Sequence, residues 1–297
     1  MNQIVNFTND IEAAKQLASG FRADNTFRVY QTSVAQFTDY CRANGLASLP
    51  ASPETVCAFI ASLARDGKKI GTIKARVSAI KWFHKAAGEI SPTNDASIEM
   101  VLAGLSRKIG VAPKQATPML ARTVKTIVDA IVEGDRCADR DRALLLLAFF
   151  GGFRRSELSS IRVEHLDICD QGLTVFLPSS KTDQVGEGRY VAIARQHNAY
   201  CPVKAVEAIM GSDGRLFPIS DRMVHKIIVK LCGRAGVDEG QFSPHSLRAG
   251  MVTQAAMNKV AKSDIRRITG HKSDAMIDHY TRIVDQWENN ATRGMMG

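Results

Sequence analysis

At 297 residues, 45% of them hydrophobic and 23% charged, the chain has an ordinary globular composition and about twice the length of one typical domain. No apolar run approaches the roughly 20 residues that cross a bilayer, and the opening MNQIVNFTNDIEAAK lacks the basic-then-apolar order of a signal peptide, so a cytoplasmic protein with no membrane partner is expected. A net charge of +9, basic in both halves of the chain, favours a polyanion as partner.

In chain order, Thr26 to Ala43 carries Phe27, Tyr30, Val34, Phe37 and Tyr40 at helical spacing and stops at Asn44-Gly45. Ser52-Pro53-Glu54 signals a second helix, with Ser52 as N-cap and Pro53 in the first turn, running to Asp66-Gly67. Thr72 to Ala87 is the third and Ser97 to Lys108 the fourth. The third helix sets Lys74, Arg76, Lys81 and Lys85 among Ile73, Val77, Ile80 and Phe83. Those cations form either a solvated face of a core helix or a surface for DNA phosphates. Two prolines break the periodicity around 110–118. This organisation predicts a helical unit over 1–112, a linker over 113–119 and a second unit over 120–297.

Beyond the linker, helices are expected at Ala121–Glu133 and Arg140–Phe150, followed by strands at Val163–Ile168, Gly172–Leu177 and Arg189–Ile193. The polar segment SSKTDQVGEG between the last two implies a long hairpin. From Asn198 onward the pattern is helical again. The fold class expected is mainly α, of α+β type, with one small antiparallel sheet in the second unit. Six cysteines lie scattered without a CxxC pair, which argues against a disulfide framework and a zinc site and fits a reducing compartment.

Five stretches of the second unit collect residues suited to phosphoryl transfer: Gly152-Phe-Arg-Arg-Ser-Glu-Leu158, Ser180-Lys-Thr-Asp183, His245-Ser-Leu-Arg248, Gly270-His-Lys-Ser273, and Tyr280. Phosphodiester cleavage needs a nucleophile, cations around the non-bridging oxygens, and a proton donor for the leaving oxygen. Arginine forks suit the second task and lysine or histidine the third. Taken singly, each motif has an ordinary structural reading: a solvated first turn, a surface pair, a capping histidine. Tyr280 even falls on one helical stripe with Met276, Ile283 and Trp287, as a core aromatic would.

Their joint order and spacing resembles the tyrosine recombinase (phage integrase) family. That family's pattern has an arginine in Gly-x-Arg-x-Ser-Glu-Leu, a hairpin lysine, a His-x-x-Arg box, a His or Trp, and a tyrosine about nine residues later. The helical first unit is similar to the family's core-binding domain. Asp135-Arg-Cys-Ala-Asp139 and Ile161-Arg-Val163 look most like the simple, Cre-like members, which lack an arm-binding domain. The resemblance implies that Tyr280 attacks the scissile phosphate to give a 3′-phosphotyrosine, that Arg154 and Arg248 hold the phosphate oxygens, and that Lys181 protonates the departing 5′-oxygen. It implies further that His245 assists proton transfer from the tyrosine, that His271 donates to a phosphate oxygen, and that Glu157 orients the arginine and histidine. Arg155 is the rival of Arg154, and the Gly-x-Arg pattern selects Arg154. Lys181 has no rival, being the only lysine between Val163 and Pro202.

The implied partner is double-stranded DNA with inverted-repeat sites, bound by a homodimer on each site and a homotetramer in the synapse, through a Holliday junction. With no carboxylate cluster and no Gly-rich phosphate loop, no metal or cofactor is expected. The tail after Tyr280 is expected to continue as an amphipathic helix to about Asn290, packing its Ile283, Val284 and Trp287 stripe either on its own domain or on a neighbouring subunit. A type IB topoisomerase, or a DNA-binding protein of this fold without chemistry, are the competing readings.

Overall fold

The computed structural model describes residues 24–110, 116–178, 188–238 and 240–271, together with 273–275, 277, 278, 280 and 292. The chain divides into two compact units, Met1–Pro113 and Lys114–Gly297. Lys181 and the expected tail helix fall outside the described residues.

In the first unit four helices, α1 (Asp24–Ala43), α2 (Pro53–Arg65), α3 (Ile70–Ala86) and α4 (Ala96–Ile109), are joined by short turns. Their apolar stripes meet in a core that includes Phe37, Phe59, Ile60, Ile73, Ile80 and Ile98. Ser52 caps α2 as expected, its Oγ accepting the Thr55 N–H at 3.2 Å, and Asp95 does the same for α4 by accepting from Ser97 at 2.9 Å. Polar side chains are buried in this unit too: Ser33, Thr55 and, most deeply, His84. His84 is fully buried, takes the Ala51 N–H on Nε2 at 3.0 Å and lies with Nδ1 3.0 Å from the Ile80 carbonyl. Because Nε2 accepts, Nδ1 carries the proton and donates to that carbonyl.

The second unit is built from α5 (Ala121–Asp129), α6 (Ala138–Phe150), α7 (Arg155–Ser160), strands β1 (Leu166–Ile168), β2 (Gly172–Leu177) and β3 (Arg189–Ala194), then α8 (Pro202–Glu207), α9 (Asp221–Arg234), α10 (Pro244–Met257) and α11 (Lys262–Thr269). Helix α6 is its centre: Ala143 through Phe149 are all buried, so every face of the helix is covered. The sheet is antiparallel in the order β1-β2-β3, with Leu166 opposite Val175 and Leu177 opposite Arg189. The structure corrects the first expected strand. Only Leu166–Ile168 pairs, while Val163–His165 forms a 3-10 turn in which the Arg162 N–H reaches His165 Nδ1 at 3.3 Å. This local bond offers the backbone an alternative to the ladder. The helical stretch from Asn198 is likewise interrupted, with turns between Glu207 and Asp221.

Chain entry into the second unit is tight. The Met119 N–H donates to the Ser246 carbonyl at 2.9 Å, and a Cβ on Gly250 of α10 would lie 1.9 Å from the Met119 carbonyl oxygen. Only glycine allows that approach.

Candidate active site

Helix α10 carries two of the expected residues. Pro244 fits the first turn, where its missing N–H costs nothing, and the Ser243 N–H is taken up by Ser246 Oγ at 3.1 Å. His245 and Arg248 then fall one turn apart, His245 exposed and Arg248 1% exposed. Backbone takes two of the five N–H groups of the buried guanidinium: Nη1 donates to the Gly152 carbonyl and Nη2 to the Thr269 carbonyl, both at 2.6 Å. Both carbonyls are presented beside glycines with positive φ, Gly152 at 56° and Gly270 at 65°. Gly270 also ends α11 in the left-handed conformation that side chains disfavour. Burial, and then the charge of Arg154, push Arg248 down to about 10, with Glu157 working the other way. It stays cationic at neutral pH.

Arg154 is the N-cap of α7 and turns inward. Its Nη1 donates to Glu157 Oε1 at 2.6 Å and its backbone N–H to Glu157 Oε2 at 2.8 Å. Arg155, the sequence rival, points elsewhere and pairs with Asp221 at 2.9 Å, both half exposed. Glu157 is 3% exposed, a buried carboxylate that needs the cations around it.

His271 is 7% exposed. Its Nδ1 lies 2.8 Å from Thr269 Oγ1, and that hydroxyl donates its single proton to the Ile265 carbonyl at 2.7 Å. Nδ1 must therefore be the protonated nitrogen, and neutral His271 offers Nε2 as an acceptor. Burial first, then the charges of Arg248, Arg154, His245 and Arg189, push His271 down to about 3. A donor role for Nε2 requires that this imidazole gain a proton when an anion arrives.

Tyr280 closes the group. Its hydroxyl lies 3.1 Å from His245 Nε2, and its ring centre 6.4 Å from that of His271. Burial raises the Tyr280 phenol above its ordinary value, and Arg248 offsets part of the rise. The phenol is therefore protonated at neutral pH, with an imidazole nitrogen in position to receive its proton.

The structure thus brings Arg154, Glu157, His245, Arg248, His271 and Tyr280 to one place. Sequence reasoning missed Arg189. Its Nη2 donates to Glu157 Oε2 at 3.2 Å and its Nη1 to the Ile268 carbonyl. A signal was present, since Arg189 alternates with Val191 and Ile193, which are buried. An arginine at an inward position of a strand calls for a partner.

The four cations expected on α3 separate. Lys74 and Lys81 line a cleft of about 380 Å³ with Ile98, Glu99 and Leu102, and exposed Lys85 continues that face. Arg76 lies on the other side of the helix, in a smaller cleft with Arg28, Thr32 and Gln36 of α1. Among the described residues no group of three His, Cys, Asp or Glu side chains is placed to hold a metal ion, and no helix is long and apolar enough to cross a membrane.

Residues 118–286 match a family model described as the phage integrase family, and residues 4–89 one described as its N-terminal SAM-like domain. An integrase/recombinase xerD homolog of Selenomonas ruminantium is 34% identical over 302 residues, covering 95% of this chain and 88% of the relative. A tyrosine recombinase XerC of Thermodesulfovibrio yellowstonii is 24% identical, covering 94% and 91%. Among solved structures, the Tn1549 transposon integrase in complex with transposon right end DNA aligns with a TM-score of 0.63 at 14% identity, covering 90% of this chain and 92% of that one. A lambda integrase dimer bound to a core site aligns at 0.59 and 19%, covering 91% and 75%. At these identities the structural matches speak to a shared fold.

Proposed function

Because the chain belongs to the phage integrase family, we propose that it is a site-specific DNA recombinase, a strand-transferring enzyme that uses Tyr280 as its nucleophile. The observation that carries this reading is the 3.1 Å contact between the Tyr280 hydroxyl and His245 Nε2, beside the buried Arg248 and the Arg154–Glu157 pair.

In the step proposed, the Tyr280 oxygen attacks phosphorus and its proton passes to His245. Arg154 and Arg248 take the non-bridging oxygens, where each such contact is worth on the order of 10²–10³ in rate. The phosphorus–O5′ bond breaks, Lys181 gives the departing oxygen its proton, and a 3′-phosphotyrosine and a 5′-hydroxyl result. The adduct stores the bond, so attack by another strand's 5′-hydroxyl reverses the chemistry without ATP. His271 donates to a phosphate oxygen once the incoming charge has offset the arginines and allowed it to gain a proton. Glu157 orients Arg154.

The same reading makes the first unit a DNA clamp over 1–112, joined through 113–119 to a catalytic domain over 120–297. Lys74, Lys81 and Lys85 face DNA together and Arg76 contacts it separately. The DNA carries inverted repeats and is bound by a homodimer on each site and a homotetramer in the synapse, in the bacterial cytoplasm.

The test is covalent trapping. Wild-type and Tyr280→Phe proteins select fragments from source DNA, and SDS-resistant protein–DNA adducts are sought on intact and nicked forms. An adduct with wild type alone supports the proposal and yields the site. Equal binding without an adduct leaves a DNA-binding protein, and relaxation of supercoils without sequence preference leaves a topoisomerase.

A further inference from the structure

Arg189 is an expensive residue where it stands. It opens β3 opposite Leu177, its side chain is 17% exposed, and burial depresses its basicity while Glu157 works the other way. An aliphatic residue would continue the inward row of Val191 and Ile193 without that desolvation. The guanidinium is held at two points, and its Nε has no hydrogen-bond partner among the described residues. Nη2 meets Glu157, Nη1 meets the Ile268 carbonyl, and Nε faces Gly270, where a Cβ would lie 3.0 Å away.

The division of Glu157 suggests what this arrangement does. Oε1 takes Arg154 Nη1 at 2.6 Å, while Oε2 is shared between the Arg154 backbone N–H and Arg189. Without Arg189, Arg154 would be the sole cation among the described residues paired with this buried carboxylate, and the fork-to-carboxylate geometry available to arginine would draw it into a two-point pair. A guanidinium spent on both Glu157 oxygens has fewer donors left for phosphate. With Arg189 on Oε2, Arg154 gives Glu157 only one side-chain bond among the described residues.

We propose that Arg189 is a positioning residue for strand cleavage: by sharing Glu157, it limits that carboxylate's hold on Arg154 and leaves the rest of the Arg154 fork to the scissile phosphate. The inference rests on the recombinase reading. The Ile268 carbonyl and Gly270 fix Arg189 in place, and its effect on the reaction runs through Glu157.

The experiment is a double-mutant cycle with full-length protein: wild type, Arg189→Gln, Arg189→Lys, Glu157→Gln and the Arg189→Gln/Glu157→Gln double variant. Single-turnover adduct formation is measured on the nicked fragment recovered by trapping, with DNA affinity by gel shift and thermal unfolding alongside. Arg189→Gln is expected to slow adduct formation by on the order of 10–100-fold, with affinity within about threefold. Arg189→Lys keeps a cation near Glu157 and recovers part of the rate. In the Glu157→Gln background, Arg189→Gln costs no more than about threefold further, because neighbours in one network are non-additive. A purely structural residue would instead lower the unfolding temperature and add its penalty in both backgrounds. Equal penalties in both backgrounds, a wild-type rate for Arg189→Gln, or a loss explained by weaker DNA binding would overturn the inference. Should Arg189→Gln fail to fold, Arg189→Lys takes its place in the cycle, and equal Arg189→Lys penalties in the wild-type and Glu157→Gln backgrounds would do so as well. No Tyr280 adduct with wild-type protein would overturn both this inference and the recombinase reading, whereas a normal wild-type adduct with additive penalties removes this inference alone.

Discussion

Lowering the pH from 8 to 5.5 probes the surroundings of His271. An unfolded histidine takes its proton near 6.5, whereas the folded site holds His271 at about 3. Between those values the unfolded chain binds more protons than the folded one, so stability falls as pH drops below about 6.5 and is unaffected by this group above it. The loss grows to about 1.4 kcal/mol for each pH unit, which gives about 1.4 kcal/mol at pH 5.5. For a unit of this size that corresponds to about 3–6 °C in unfolding temperature. Calorimetry of wild type and His271→Gln at both pH values isolates the contribution, because every other titrating group cancels in the difference between the two proteins. Wild type is expected to lose about 1.4 kcal/mol more than the variant on acidification. Parallel losses would mean that folded His271 protonates like a solvent-exposed imidazole, and the account of its burial among Arg248, Arg154 and Arg189 would be wrong.

With the Tyr280 phenol pushed upward by burial, His245→Gln should slow adduct formation by roughly 10²–10⁴-fold, and the residual rate should climb with pH as the phenol ionises unaided; a pH-independent residual rate would count against His245 as proton acceptor. Arg154→Gln should cost on the order of 10²–10³ in adduct rate, while Arg155→Gln, which loses only the half-exposed pair with Asp221, should leave the rate intact and change stability by about 0–1 kcal/mol. The reverse ranking would reassign the phosphate arginine. Gly250→Ala places a methyl group 1.9 Å from the Met119 oxygen and should destabilise the second unit by about 1–3 kcal/mol or more, seen as a calorimetric shift with the first unit's unfolding unchanged.

What could be read directly from the sequence was local. Ser52-Pro53 caps α2, and Asn44-Gly45 and Asp66-Gly67 end helices, because capping and left-handed glycines act within a few residues. The Gly-x-Arg spacing picked Arg154 over Arg155, and in the structure the two side chains part, one to Glu157 and the other to Asp221. What escaped was set by partners far along the chain. His84 is fixed by an N–H 33 residues away, and Arg189 is fixed by Glu157 and Ile268, neither near it in sequence. Val163–His165 looked like strand because periodicity carries no information about a side chain closing its own turn. The four cations of α3 looked like one surface until the turn of the helix set Arg76 against α1 and the lysines on the side facing α4.

The stitching of residues 119–121 to α10 has a mechanical side. Where the chain enters the second unit, Met119 donates to the carbonyl of Ser246, the residue directly after His245, and the Ala121 N–H reaches the Gln254 side chain two turns further along the same helix. The segment is thus tied at two points, one on either side of Gly250, to the helix that bears His245 and Arg248. With the Met119 oxygen 1.9 Å from where a Gly250 side chain would begin, the incoming segment and this helix form one wall, and a larger residue at either contact has to part them.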